Sequence, residues 1–104
     1  MTVIHKLVRD QIPEIIKAEG RKVKVSIIED DNAFLQALSE KLIEEAKEFQ
    51  ESKKIEELAD ILEIILAILD LKGLSMPALE SLRKQKRALR GAFSRRFYLE
   101  TTSP

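Results

Sequence analysis

Five acidic side chains in the middle of the chain have types and spacings that suit divalent-cation chemistry. Glu44, Glu45 and Glu48 form the pattern Glu-Glu-x-x-Glu, and Glu57 and Asp60 form Glu-x-x-Asp. Residues three apart on a helix occupy neighbouring positions of one face, so each pattern predicts a pair of adjacent carboxylates. A ligand set made only of oxygens suits Mg²⁺ or Mn²⁺ rather than zinc.

A tight helical hairpin is predicted to bring the two pairs together. If the turn is centred between residues 52 and 53, Glu48 lies level with Glu57 and Glu45 lies level with Asp60. Four inward-facing carboxylates would each cost several kcal/mol if they were charged and unpaired. Divalent cations are therefore the expected compensation.

The rotation of the first hairpin helix supports an inward position for Glu45. This residue continues an apolar series at helical spacing, whose other members are Leu35, Leu38, Leu42 and Phe49. The simpler alternative is a solvated acidic face, neutralised by Lys41, Lys47, Lys53 and Lys54. A ferritin-like di-iron site is disfavoured because it needs Glu-x-x-His on two helices, and His5 is the only histidine.

The N-terminal part is predicted to hold one short helix. Asp10 is the expected N-cap, Pro13 occupies the first turn, and Gly20 ends the helix. In residues 23–27, apolar and polar side chains then alternate with a period of two, which indicates a short strand or extended segment without an obvious partner.

Three longer helices follow, at about residues 30–50, 54–72 and 75–91, and the tail from residue 92 is expected to be irregular. The second is apolar on a broad stripe, which predicts burial on more than one side. The sequence thus predicts an all-α fold, an antiparallel helical bundle with a short extended N-terminal segment. No repeat or linker divides it, so residues 1–104 are expected to form a single domain.

Composition excludes several functional classes. Cysteine is absent, which excludes disulfides, thiol nucleophiles and zinc-thiolate sites. Basic and acidic residues are equal in number, at 18 each, so no bulk charge indicates a nucleic-acid polymer or a membrane as the partner. The N-terminus lacks the apolar core of a signal peptide, and no apolar run is long enough to span a bilayer. A cytoplasmic protein is expected.

The neutral total hides a basic block near the C-terminus. Residues 81–99 contain seven basic residues and no acidic one, and residues 29–63 contain twelve acidic against four basic. Ion pairing between these regions is one interpretation, and nucleic-acid binding is another. In a third interpretation, carboxylate-bound metals hold a polyphosphate while Lys and Arg contact its outer oxygens.

The carboxylate patterns resemble the signature of the all-α nucleotide pyrophosphohydrolase superfamily, which includes MazG-type proteins and phosphoribosyl-ATP pyrophosphohydrolase. Two further segments, residues 6–16 (KLVRDQIPEII) and 86–93 (KRALRGAF), resemble the ends of a small house-cleaning branch of MazG-like proteins. The three blocks occur in order and cover most of the chain. One departure is the separation of only eight residues between Glu48 and Glu57, which requires a minimal connecting turn.

The resemblance implies a Mg²⁺-dependent hydrolase, with Mn²⁺ as a substitute, that converts a nucleoside triphosphate to a monophosphate and pyrophosphate. The implied metal ligands are Glu45, Glu48, Glu57 and Asp60. Glu44 would orient or deprotonate the attacking water as the catalytic residue. The resemblance also implies that Lys41 contacts phosphate. In the proposed mechanism, the other candidates for substrate binding are the basic residues Lys6, Arg9, Arg87 and Arg90.

The resemblance also implies a homodimer or homotetramer, because active sites in this superfamily are usually completed by a second subunit. The alternative function is a non-catalytic helical-bundle module whose acidic and basic faces hold an oligomer together. A small nucleic-acid binder is the third hypothesis, and it predicts binding that weakens steeply with salt.

Overall fold

The structure, a computed structural model, describes residues 4–104, and this part of the chain contains four helices and no strand. The helices are α1 (Ile12–Ala18), α2 (Asp31–Ser52), α3 (Ile55–Leu71) and α4 (Met76–Arg90). The predicted all-α class is confirmed. The chain divides into two compact units, Met1–Gly73 and Leu74–Pro104. That residues 1–104 form a single domain stays a prediction.

The N-cap of helix α1 lies one residue later in the chain than predicted. The N-cap is Gln11, without a side-chain hydrogen bond, so the prediction that Asp10 caps this helix was wrong. Gly20 ends the helix as predicted, at a φ of 78°, where a residue without Cβ is favoured. Its amide donates to the carbonyl of Lys17 over 2.9 Å, which satisfies one of the last free carbonyls of the helix.

Residues 21–30 join α1 to α2 without regular secondary structure. The alternating segment predicted at 23–27 forms no hydrogen-bonded sheet there, and Val25 and Ile27 are both exposed. Alternation alone cannot form a strand because its backbone groups need a partner strand, and the described residues offer none.

The helical hairpin begins at a side-chain cap and turns within two residues. The Asp30 carboxylate accepts a hydrogen bond of 2.8 Å from the amide of Ala33, as expected for the acidic cluster at the helix start. Lys53 adopts the left-handed conformation, with a φ of 60°, and α3 starts two residues later. The connector is thus minimal, and its midpoint lies one residue later than predicted.

The core of the first unit lies between α2 and α3, which pack against each other. Leu38, Ile64 and Leu69 are its buried apolar residues. Helix α3 also keeps an exposed apolar stripe at helical spacing, formed by Leu58, Leu62 and Leu66. One side of α3 is therefore buried by α2, while another stays open in the single chain.

The second unit consists of α4 and the tail. The Ser75 hydroxyl accepts a hydrogen bond from the Ala78 amide, so the predicted start of α4 is confirmed. Residues 91–104 contain no helix or strand, as expected. Among the described residues, no helix combines the length and the hydropathy needed to cross a membrane.

Candidate metal centre

The five acidic residues predicted from their spacing converge across the hairpin. Glu44, Glu45 and Glu48 each place a carboxylate oxygen within 4.8 Å of the others, and the same holds for Glu45, Glu57 and Asp60. The two sets share Glu45, so α2 and α3 jointly build one carboxylate cluster. The prediction that the two acidic patterns meet is confirmed.

Glu45 lies at the centre of the cluster and is buried. Its exposed fraction is 6%, so it occupies the core position that the apolar series of α2 predicts. Its Oε1 lies 3.6 Å from the Nζ of Lys41, whereas its Oε2 is buried without a hydrogen-bond partner. A buried carboxylate oxygen without a partner is rare in folded proteins, and it calls for a ligand or a proton.

Cationic groups surround the rest of the cluster. The Glu44 carboxylate contacts Lys41 at 3.4 Å and Lys6 at 3.5 Å. The Arg9 guanidinium donates a hydrogen bond of 2.7 Å to Oδ1 of Asp60. These contacts place three of the predicted substrate-binding residues beside the predicted metal ligands.

The crowding of carboxylates changes their protonation. Burial, followed by the neighbouring Glu48 carboxylate, raises the pKa of Glu45 from 4.5 to about 7, although the Lys41 ammonium acts in the opposite direction. Partial desolvation and the Glu48 and Asp60 carboxylates also raise the pKa of Glu57. Negative charge in this cluster is therefore costly when nothing but the lysine and arginine side chains balances it.

The raised pKa of Glu45 predicts that the metal-free protein loses stability between about pH 4.5 and pH 7. In this window the native state holds a proton that the unfolded state has released, so the free energy of unfolding falls as pH rises. The expected loss is about 1–3 kcal/mol. Urea unfolding at pH 5 and pH 8 with a chelator measures it.

The matched variant for this measurement is Glu45→Gln, which keeps the side-chain shape and cannot titrate. Its free energy of unfolding should change less than that of the wild type over the same pH range. Equal pH dependence in the two proteins would contradict the assignment of the titration to Glu45.

A shallow depression adjoins the cluster on the side of Glu44. It has a volume of about 150 Å³ and is lined by the N-terminal segment and α2, through His5, Lys6, Leu7, Ala37, Glu40, Lys41 and Glu44. Two ammonium groups and two carboxylates, those of Glu40 and Glu44, thus line this opening. Both ammonium groups contact Glu44, so the lining has no excess of positive charge.

No protein-family model, curated protein or solved structure matches this chain.

The donor set fits a hard divalent cation. All five groups are carboxylates, and Glu45, which belongs to both sets, has a buried Oε2 without a hydrogen-bond partner. Oxygen ligands from several carboxylates are those that Mg²⁺, Mn²⁺ and Ca²⁺ prefer, and the described residues of the cluster include no histidine that would favour zinc.

Two predicted substrate-binding residues belong to α4. Arg87 and Arg90 are exposed on α4, in the second compact unit, and their role as phosphate ligands stays a prediction. Sequence reasoning did not foresee that the Ser52 hydroxyl donates to Glu57 over 3.4 Å. A serine at the last position of α2, five residues before Glu57, was the available signal.

Proposed function

We propose that this chain is a Mg²⁺-dependent nucleoside triphosphate pyrophosphohydrolase, with Mn²⁺ as an alternative cation. The observation that carries the proposal is the buried Glu45 carboxylate, whose Oε2 has no hydrogen-bond partner amid four other carboxylates. A cation site beside basic side chains suits a polyphosphate substrate. The resemblance of the acidic patterns to nucleotide pyrophosphohydrolases supports a nucleotide as the substrate. The resemblance of the two end segments to a house-cleaning branch of MazG-like proteins supports a role in the removal of non-standard nucleotides.

In the proposed reaction, a water oxygen attacks the α-phosphorus and the bond from that phosphorus to the α–β bridging oxygen breaks. The products are a nucleoside monophosphate and pyrophosphate. Glu44 orients the water and accepts its proton, and Lys6 and Lys41 fix this carboxylate from two sides. When bound, a divalent cation supplies charge neutralisation at the phosphate oxygens and makes water more acidic.

The cation would be held by Glu45, Glu48, Glu57 and Asp60. The candidates for contacts with phosphate oxygens are the basic residues Lys6, Arg9, Lys41, Arg87 and Arg90. The substrates of this proposed reaction belong to the nucleotide pool of the cytoplasm, which is where we propose the protein acts.

A homodimer or homotetramer is part of the proposal. The depression of about 150 Å³ beside Glu44 is smaller than the ~300–1,000 Å³ of a typical small-molecule pocket. The exposed stripe of Leu58, Leu62 and Leu66 offers an apolar face on which a second copy could pack and so enlarge the site. Light scattering on the full chain measures the assembly, and a strictly monomeric protein would contradict this part of the proposal.

The central experiment is an assay of pyrophosphate release from standard, deoxy, oxidised and phosphoribosylated nucleotides. Release is expected with Mg²⁺ and is expected to stop when a chelator is added. If no nucleotide is cleaved and Mg²⁺ leaves the melting temperature unchanged, the chain is better described as a non-catalytic interaction module. Salt-sensitive binding of DNA or RNA without cleavage of nucleotides would instead favour the nucleic-acid binder.

A further inference from the structure

The segment that precedes α1 places two cationic side chains on the carboxylate cluster. Lys6 lies 3.5 Å from Glu44, which belongs to α2, and Arg9 lies 2.7 Å from Asp60, which belongs to α3. Residues 4–9 therefore contact both helices of the hairpin through charged groups. This segment has no helix or strand of its own, and the next element along the chain is the short helix α1.

The charge count of the cluster matches one divalent cation. Five carboxylates carry five negative charges at full ionisation, and among residues 4–104 three cationic side chains contact them: Lys6, Arg9 and Lys41. The difference of two is the charge of a single Mg²⁺ or Mn²⁺. In the described part of the chain, Glu48 and Glu57 have no ion-pair partner, and the Oε2 of Glu45 is buried without a hydrogen-bond partner.

The three cationic side chains differ in how firmly the protein holds them. The side chain of Lys41 is only 18% exposed, whereas those of Lys6 and Arg9 are 49% and 55% exposed. Lys41 also contacts both Glu44 and Glu45 from its own helix. Lys41 is thus a fixed counter-ion, while Lys6 and Arg9 can leave the cluster without unpacking a core.

Arg9 and a divalent cation would compete for the same carboxylate. The oxygen of Asp60 that accepts the Arg9 hydrogen bond belongs to a group in the set with Glu45 and Glu57. A guanidinium and a divalent cation that share one carboxylate repel each other, and this repulsion is strong where little water screens it. A divalent cation bound by Glu45, Glu57 and Asp60 therefore weakens the contact between Arg9 and Asp60.

We propose that Arg9 forms a cationic latch that rests on Asp60 in the metal-free protein and turns to an anionic ligand when a divalent cation binds. This inference rests on the cation site of the proposed function and adds an order of binding to it. The cation binds first and releases Arg9 from Asp60, and the released guanidinium then contacts phosphate oxygens. Cation and polyphosphate consequently bind with positive coupling.

The first test compares the affinity for Mn²⁺ alone in the wild-type chain and in two variants, by isothermal titration calorimetry. Arg9→Gln removes the competing guanidinium, so it should bind Mn²⁺ about three- to fivefold more tightly, in line with the strength of a partly exposed ion pair. Lys47→Gln is the control for simple loss of positive charge, because Lys47 is exposed beside Glu48 in the sequence. Equal tightening in both variants would overturn the latch.

The second part of the test uses inorganic pyrophosphate in the presence of saturating Mn²⁺. Arg9→Gln should bind it about tenfold or more weakly, because it lacks a charge-assisted hydrogen bond, and Lys47→Gln should bind it like the wild type. Opposite effects of one substitution on the two ligands are what a latch predicts. If Arg9→Gln instead bound both Mn²⁺ and pyrophosphate more weakly than the wild type, Arg9 would be identified as a merely structural ion-pair partner.

A measurement on the unmodified protein guards against misfolding of the variants. The side-chain Nε–H signal of Arg9, followed by NMR during titration with Mg²⁺, should shift as the contact with Asp60 is lost. Cation binding without a change at Arg9 would overturn the latch and leave the proposed function intact. Absence of any cation binding by the wild type would overturn both.

Discussion

Replacement of Glu48 by glutamine is expected to reduce pyrophosphate release by about a hundredfold or more. Glu48 places a carboxylate oxygen within 4.8 Å of those of Glu44 and Glu45, so it belongs to the cluster that would hold the cation. Glutamine keeps nearly the same volume but lacks the negative charge that a hard divalent cation needs from its ligands. The measurement is the initial rate of release at saturating Mg²⁺, with the substrate that the nucleotide panel identifies.

Glu51→Gln provides the matched control for this variant. Glu51 is on the same helix, three residues further along, and is exposed outside the described carboxylate sets. It should retain the wild-type rate. Calorimetry with Mn²⁺ gives a second readout that needs no substrate, and Glu48→Gln should bind the cation more weakly there too. If Glu48→Gln matched Glu51→Gln in rate and in cation affinity, the metal assignment would be wrong.

The helix boundaries could be predicted from the sequence because local chemistry determines them. Asp30 and Ser75 accept hydrogen bonds from backbone amides in the first turns of α2 and α4, and Gly20 follows α1 in a left-handed conformation. The cap of α1 was predicted wrongly at Asp10 although aspartate is the preferred residue type, because Asp10 and Gln11 lie in a turn that the hydrogen bond of 3.1 Å from the Ile12 amide to the Arg9 carbonyl closes. Such local competition is settled by backbone geometry.

The core of the site could also be predicted, since it depends on helical periodicity and on one short turn. Glu45 and Glu48 are three residues apart, as are Glu57 and Asp60, and a connector of two residues forces α2 and α3 to pack side by side. The carboxylates converge even though the midpoint of the turn lies one residue later than expected, because glutamate side chains are long enough to absorb such a shift.

The contacts of the N-terminal segment could not be predicted in the same way. Arg9 and Asp60 are 51 residues apart, and residues 4–9 have no periodic pattern that fixes their direction. The mechanism predicted from the sequence made Arg9 a candidate substrate ligand, whereas its contact in the structure is with a predicted metal ligand. Long-range ion pairs of exposed side chains depend on the path of the backbone, which composition and spacing do not encode locally.

Replacement of Glu45 by leucine is expected to stabilise the metal-free protein. The change removes a buried carboxylate with an unpartnered oxygen, relieves repulsion with Glu48 and Asp60, and extends the apolar series of α2. Hydrophobic replacement of buried charged groups can raise the free energy of unfolding by about 1–4 kcal/mol. For a chain of this size, each kcal/mol corresponds to about 4–8 °C in the melting temperature.

The melting temperature should be measured by circular dichroism at pH 8, with a chelator and then with saturating Mg²⁺. At pH 8 Glu45 is mostly ionised, because its pKa is raised only to about 7, so the gain should exceed that at pH 5. Mg²⁺ should stabilise the wild type by mass action and have much less effect on the variant. Glu45→Gln separates the two causes of the expected stabilisation, which are the loss of the buried charge and the gain of apolar contacts, since glutamine removes the charge without adding apolar contacts.

A lower melting temperature of Glu45→Leu without metal would mean that the contact of Glu45 with Lys41 is structural, and the argument for a cation site would lose its main support. The opposite result, a more stable protein that no longer responds to Mg²⁺, would mean that the native residue reduces stability at this position. Residues that reduce stability in a core are characteristic of functional sites, because selection retains them for what they bind. The burial of Glu45 would then be explained by its ligand rather than by the fold.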